Sequence, residues 1–162
     1  MLQQLVADRL IHARSGTAFS VTPALRESYA EGDDDELAEV ALREAALASL
    51  RLLAGEGETS LPPRRAVLVA DVGETEGGEE AVTLRPDLDD AVVRLAAPVA
   101  LQDVVAAYVD NVAAESAVLV AVERIDEADL GDEDAELAVG DAQDHDLAWY
   151  APQELPFLLE LL

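Results

Sequence analysis

Nothing in the 162-residue chain is a cysteine or a lysine, and aromatic residues make up only 4% of it. No uninterrupted apolar run approaches the roughly 20 residues that a membrane-spanning helix needs. Each absence excludes something. Without cysteine there is no disulfide, no thiolate metal site and no thiol nucleophile. Without lysine all ten cations are arginine, set against 35 acids for a net charge of −25. Such a charge repels polyanions, and the only adjacent cation pair is Arg64-Arg65, so nucleic-acid binding is not expected. No charged leader precedes an apolar segment, so the expected compartment is the cytoplasm, with no membrane partner. Scarce aromatics imply a core of thin Ala, Val and Leu layers. Arginine as the sole cation beside abundant Ala, Asp and Glu fits GC-rich coding better than a salt-loving surface, because the apolar content is not thinned.

What is present, 51% apolar residues, suffices for one globular domain over residues 1–162. Leu2, Leu5, Val6 and Leu10 share one face at helical spacing, which predicts a helix over Met1–Ile11. Ser15-Gly16 marks a turn, Thr17–Val21 a short strand, and Thr22-Pro23 the cap and first position of a short helix to Tyr29. Asp33 and Glu36 have capping-box spacing at the start of a helix over Asp34–Leu53. That helix confines Glu36, Glu39, Arg43, Glu44 and Arg51 to an arc of about 140°, at 100° per residue, which implies burial on more than one side. Its Leu42, Leu47 and Leu50 are predicted core residues. Ala66-Val-Leu-Val-Ala70 is a continuous apolar run, the pattern of a strand covered on both faces. Val92–Val99 and Val104–Asp110 read as strands, although Leu101–Val109 also admits a helix. Ala114–Ile125 reads as a helix, 126–146 as a mostly acidic connection, Leu147–Tyr150 as a strand and Glu154–Leu162 as a terminal helix. The expectation is an α/β fold, with a mixed sheet of four to six strands, Ala66–Ala70 inside it and the long helix across one face. Acidic loops near 72–80 and 126–146 are the expected mobile segments.

Motifs that carry chemistry are few. The acidic clusters at Asp33–Glu36, Asp87–Asp90, Asp129–Glu136 and Asp141–Asp146 lack the alternating ligands, Gly and terminal Glu of a calcium loop, so solvated faces and caps are the simpler reading. Gly55-Glu-Gly57 follows a helix and lacks the third Gly and the Lys of a phosphate loop. There is no G-x-S-x-G and no H-E-x-x-H, so neither a cofactor nor a metal is expected. Asp71 closes the apolar strand, where open α/β sheets present ligands, though an acid there also simply ends a strand. His12 falls at the end of the first helix, where a cation suits the dipole. His145 sits between Asp144 and Asp146, which favour its charged form. Of Trp149 and Tyr150, alternation along a strand sends one inward and one outward.

The strings Val21-Thr-Pro-Ala-Leu-Arg-Glu-Ser-Tyr29 and Glu44-Ala-Ala-Leu-Ala-Ser-Leu-Arg-Leu-Leu53, with Val92-Val-Arg-Leu-Ala-Ala-Pro-Val99 and Asp144-His-Asp-Leu-Ala-Trp-Tyr-Ala-Pro-Gln-Glu-Leu-Pro156, carry a resemblance. They are similar to a family of short actinobacterial proteins classed as a domain of unknown function, over nearly the whole chain. The resemblance brings no activity or site with it. Its members begin with a short strand ahead of the first helix, so an upstream extension supplying an edge strand is expected here. Two function classes follow. One is a non-catalytic interaction or regulatory module that steers a basic protein partner by its charge. The alternative is a small metal-assisted or hydrolase-like enzyme centred on Asp71, with His145, Arg26 or Tyr29 nearby. The first is favoured because no nucleophile–base pair is recognisable.

Overall fold

In the computed structural model, which describes residues 1–57, 59–73 and 80–162, helix α1 covers Leu2–Asp8 instead of running on to Ile11. Arg9 takes a left-handed conformation (φ 58°) and donates its N–H to the Leu5 carbonyl, which ends the helix. The next two residues form strand β1 (Leu10–Ile11), antiparallel to β6 (Val99–Ala100), with Ile11 opposite Val99 and both buried. The apolar spacing that suggested one helix is therefore shared between a helix and a strand.

Six helices and eight strands occur among the described residues, so the α/β class holds. The strands do not gather into one sheet of four to six. They divide into β1-β6, a sheet of β2 (Thr17–Phe19), β5 (Val92–Leu95) and β4 (Val82–Leu84) in the order β2-β5-β4, and a sheet of β3 (Ala66–Ala70), β7 (Val104–Val109) and β8 (Ala148–Tyr150) in the order β3-β7-β8. Strand β3 is thus an edge strand and not an interior one. Val67 and Val69 share one face, the first buried and the second 38% exposed, and the remaining residues are half-buried, so the continuous apolar run is not covered on both faces. The expected mobile segment at 72–80 lies for the most part, at 74–79, outside the described residues.

Contacts group the chain into two units, Met1–Ala45 with Val69–Val105, and Ala46–Leu68 with Ala106–Leu162. In the first, Thr22 caps α2 (Pro23–Ser28) by accepting from the Leu25 N–H at 3.1 Å, and its hydroxyl donates to the Asp90 carbonyl. Helix α3 (Asp34–Gly55) starts with the predicted capping box: the Asp33 N–H donates to Glu36 at 3.1 Å and the Glu36 N–H to Asp33 at 2.9 Å. Leu37 of α3 packs with Leu25 and Ala91 in a small core that Phe19, Val21 and Val40 extend. In register, Arg94 of β5 lies between Thr17 of β2 and Thr83 of β4.

The second unit takes the C-terminal part of α3. Leu50 is fully buried against Val118, Ala121 and Ile125 of α4 (Glu115–Asp129) and Ala142 of α5 (Glu133–Gln143), and burying it contributes about 1.5–3 kcal/mol. The expected acidic connection at 126–146 is therefore mostly helix. Asp132 caps α5 by accepting from the Ala135 N–H at 2.8 Å, and Ala135 and Ala142, seven residues apart, sit fully buried on its inner face. Small residues on both helices let α4 and α5 pack as a close hairpin, with Gly131 at φ 92° in the turn. β8 runs antiparallel to β7 with Trp149 opposite Tyr108. Trp149 faces outward and Tyr150 is half-buried, as strand alternation predicts. Helix α6 (Leu155–Leu161) follows, anchored by Leu155 and Leu158.

Candidate functional site

The sequence-predicted polar residues are divided between the units, Asp71, Arg26 and Tyr29 in the first and His145 in the second. Asp71 follows β3 in the first unit as an exposed residue, its N–H donating to the Asp103 carbonyl at 2.8 Å. His145 belongs to the second unit and is half-buried. Its backbone is engaged at both ends, the N–H on the Ala142 carbonyl and the carbonyl on Arg65. Arg26 is committed to an ion pair with Asp34, which holds that carboxyl below the usual range. Tyr29, just past α2, is exposed. The larger cleft described in the first unit, about 220 Å³, is lined by Thr22, Pro23, Glu27, Leu84, Pro86 and Asp90 among others, and neither Asp71, Arg26 nor Tyr29 lines it.

Sequence reasoning missed the most constrained polar centre, which lies in the second unit. Arg65 and Asp110 are side chains only 2% and 0% exposed, with Nη2 and Oδ1 2.7 Å apart. Asp110 Oδ2 accepts from both the Arg65 backbone N–H and Nε at 2.8 Å, so the fork is bidentate. Arg65 also donates through Nη1 to Gln143 at 2.8 Å and through Nη2 to the His145 carbonyl at 2.7 Å. The reverse backbone bond, Asp110 N–H to Arg65 carbonyl at 3.0 Å, closes the ladder where β3 begins and β7 ends. The neighbouring Arg64 turns to Glu115 at the start of α4, at 2.8 Å. One faint signal existed: an Arg before one strand and an Asp after another pair naturally if the strands run antiparallel. With its donors committed, Arg65 joins β3, β7 and the α5–β8 connection as a structural pin.

A second feature is the outer surface of the α4–α5 hairpin. Every acid from Glu123 to Asp146 is exposed. Three of them are neutralised: Glu127 and Asp132 by Arg124, and Asp129 by Arg51, through bonds of 3.1 and 2.8 Å. Those bonds from Arg51 hold the Asp129 carboxyl below its usual range against a desolvation effect of opposite sign. Glu123, Asp126, Glu133, Asp134, Glu136, Asp141, Asp144 and Asp146 have no cation partner among the described residues. Leu130 and Leu137 stand out of the same surface, 90% and 68% exposed. Among the described residues, no group of three or more His, Asp or Glu is arranged to hold a metal ion. Nor is any described helix long and apolar enough to cross a membrane.

Residues 1–159 match the family of unknown function DUF6912, and the chain belongs to that family. Searches of curated proteins and of solved structures return no match.

Proposed function

We propose that this protein is a non-catalytic interaction module of the cytoplasm that presents its α4–α5 hairpin to a basic protein partner. The observation that carries the reading is the set of eight exposed acids without a cation partner among the described residues, six on the hairpin and Asp144 and Asp146 just after it, while the hairpin's other side is packed into a core. Acids fixed on a rigid element set a steering field without having to be ordered on binding, and complementary charge raises the rate of encounter with a cationic surface. Leu130 and Leu137 supply apolar area of the kind that holds a partner once it has arrived. The same charge disfavours nucleic acid.

The test must separate the hairpin from the bulk charge. A triple variant Glu133→Gln/Asp134→Asn/Glu136→Gln is compared with Asp33→Asn/Asp35→Asn/Glu39→Gln, which removes the same charge from the other unit. Binding of an Arg- and Leu-containing basic peptide is followed by fluorescence anisotropy at 0.15 M salt. Loss of affinity concentrated in the hairpin variant supports the reading, and equal loss in both overturns it.

A further inference from the structure

In a chain where more than one residue in five is acidic, residues 9–26 and 91–102 contain no Asp or Glu at all. The two segments are brought together by the fold, because β1 pairs with β6 and β2 with β5. They carry Arg9, His12, Arg14, Arg26 and Arg94. Arg26 is satisfied by Asp34, but Arg9, Arg14 and Arg94 make no ion pair among the described residues. The first unit therefore brings together two acid-free segments whose arginines outnumber their ion pairs, in a strongly anionic molecule.

Three local observations converge on these segments. A cleft of about 200 Å³ opens between His12, Ala13 and Gly16 on one side and Leu95 to Pro98 on the other. The wall is tightly built: a Cβ on Gly16, at φ 68°, would come within 3.0 Å of the Leu95 carbonyl and 3.3 Å of Arg94 Cγ. Among the described residues Arg94 Nε, a buried atom, has no hydrogen-bond partner, and a donor of that kind is costly to leave unmet. The acid within its electrostatic range, Asp87, is already held at both oxygens by Arg85, at 2.8 and 2.7 Å. Finally, Ser15, next to Gly16 of this wall, is a non-glycine residue at positive φ (56°), whereas the positive φ of Arg9 serves to end α1. Such conformations cost about 1–3 kcal/mol each and concentrate where ligands are held.

We propose that this cleft binds a small organic phosphate, with His12 as the polar contact in its wall, the carbon skeleton against Leu95, Ala96 and Pro98, and, as counter-ions, Arg14 and Arg94, which do not line the cleft but flank its lining residues in the chain. The guanidinium fork fits a tetrahedral oxyanion, and a dianion gains more from each cation than a monoanion does. Size and charge both select small ligands. The cleft is smaller than the roughly 300–1,000 Å³ of drug-sized pockets. A polyanion would feel the full net charge of −25, whereas a small anion is screened from charges more than about 8 Å away at physiological salt. The proposal is independent of the hairpin reading, since its residues lie in the other unit.

The test is backbone-amide NMR titration of the full chain with ethyl phosphate, inorganic phosphate and succinate, each at matched ionic strength. The expected result is saturable shifts confined to residues 9–17 and 94–101, with ethyl phosphate binding more tightly than inorganic phosphate and at least tenfold more tightly than succinate. Arg94→Gln and Arg14→Gln should each weaken ethyl phosphate at least tenfold. Arg14 is exposed, so Arg14→Gln keeps the test decisive if Arg94→Gln disturbs the fold. The hairpin triple variant should bind ethyl phosphate as the wild type does. Shifts that fail to saturate or spread over the whole chain, succinate binding equally well, or arginine variants that bind normally would each overturn the assignment.

Discussion

Removing the carboxylate of Asp110 should cost the protein a large part of its stability. In Asp110→Ala the Arg65 guanidinium keeps its bonds to Gln143 and the His145 carbonyl, but Nε, one Nη2 proton and the Arg65 backbone N–H lose their acceptor. Three orphaned donors at about 1–3 kcal/mol each would sum to several kcal/mol. Water entering the space left by the carboxylate offsets part of that. Single-partner removals from buried ion pairs cost about 3–5 kcal/mol, and we expect a value in that range. A protein of this size is stable by only about 5–15 kcal/mol. Urea unfolding followed by far-UV circular dichroism and by emission of the sole tryptophan, Trp149 on the neighbouring strand, measures the loss. Replacing both partners, as Arg65→Met/Asp110→Leu, removes the buried charge together with its counter-charge, and should recover at least half of it. A loss below about 1 kcal/mol in Asp110→Ala, or a double variant as unstable as the single one, would refute the view that an unpaired buried guanidinium dominates.

Thr22→Ala removes both a helix cap and the hydroxyl that donates to the Asp90 carbonyl, and should cost about 1–2 kcal/mol in urea unfolding. Leu50→Ala empties a fully buried site and should cost about 2–5 kcal/mol, while Leu50→Asp should not fold, as gel filtration and circular dichroism will show. Asp129 titrates below its usual range when folded, so its pairing with Arg51 stabilises at neutral pH and is lost as pH falls through that lowered value. Asp129→Asn should therefore be less stable than wild type at pH 7, by at most about 1 kcal/mol because the pair is half-exposed, and equal to it once the pH lies well below the carboxylate range.

Local chemistry was the legible part of the sequence. The Thr22-Pro23 start of α2 and the Asp33/Glu36 box of α3 are decided within four residues, and both form as read. Helix α5 was hidden by its own acids: its inward Ala135, Val139 and Ala142 keep helical spacing, but alanine is too weak a hydrophobic marker to stand out in so acidic a run. The apolar spacing around Leu10 is compatible with helix and strand alike, and only pairing with Val99 and Ala100 decides between them. Sheet membership is likewise non-local, which is why β3 reads as interior when it is an edge. The Arg65–Asp110 centre joins residues 45 positions apart. That Arg9, Arg14 and Arg94 make no ion pair among the described residues becomes visible only once the fold shows which cations the acids have taken.

The interleaving of the two units has a consequence for how the chain emerges from a ribosome. Each unit is assembled from two stretches, so the polypeptide passes from one to the other at 45/46, 68/69 and 105/106. The first can be completed once residue 105 is out, but the nascent chain then already carries 46–68, with Leu50 and the Arg65 charge, and none of α4, α5 or Asp110 to receive them. Until the last third of the protein is synthesised, that segment is apolar surface next to an uncompensated cation, the kind of stretch holding chaperones and proteases recognise. Truncation near residue 105 would make that transient state permanent, and neither unit can be exchanged between proteins as a contiguous cassette.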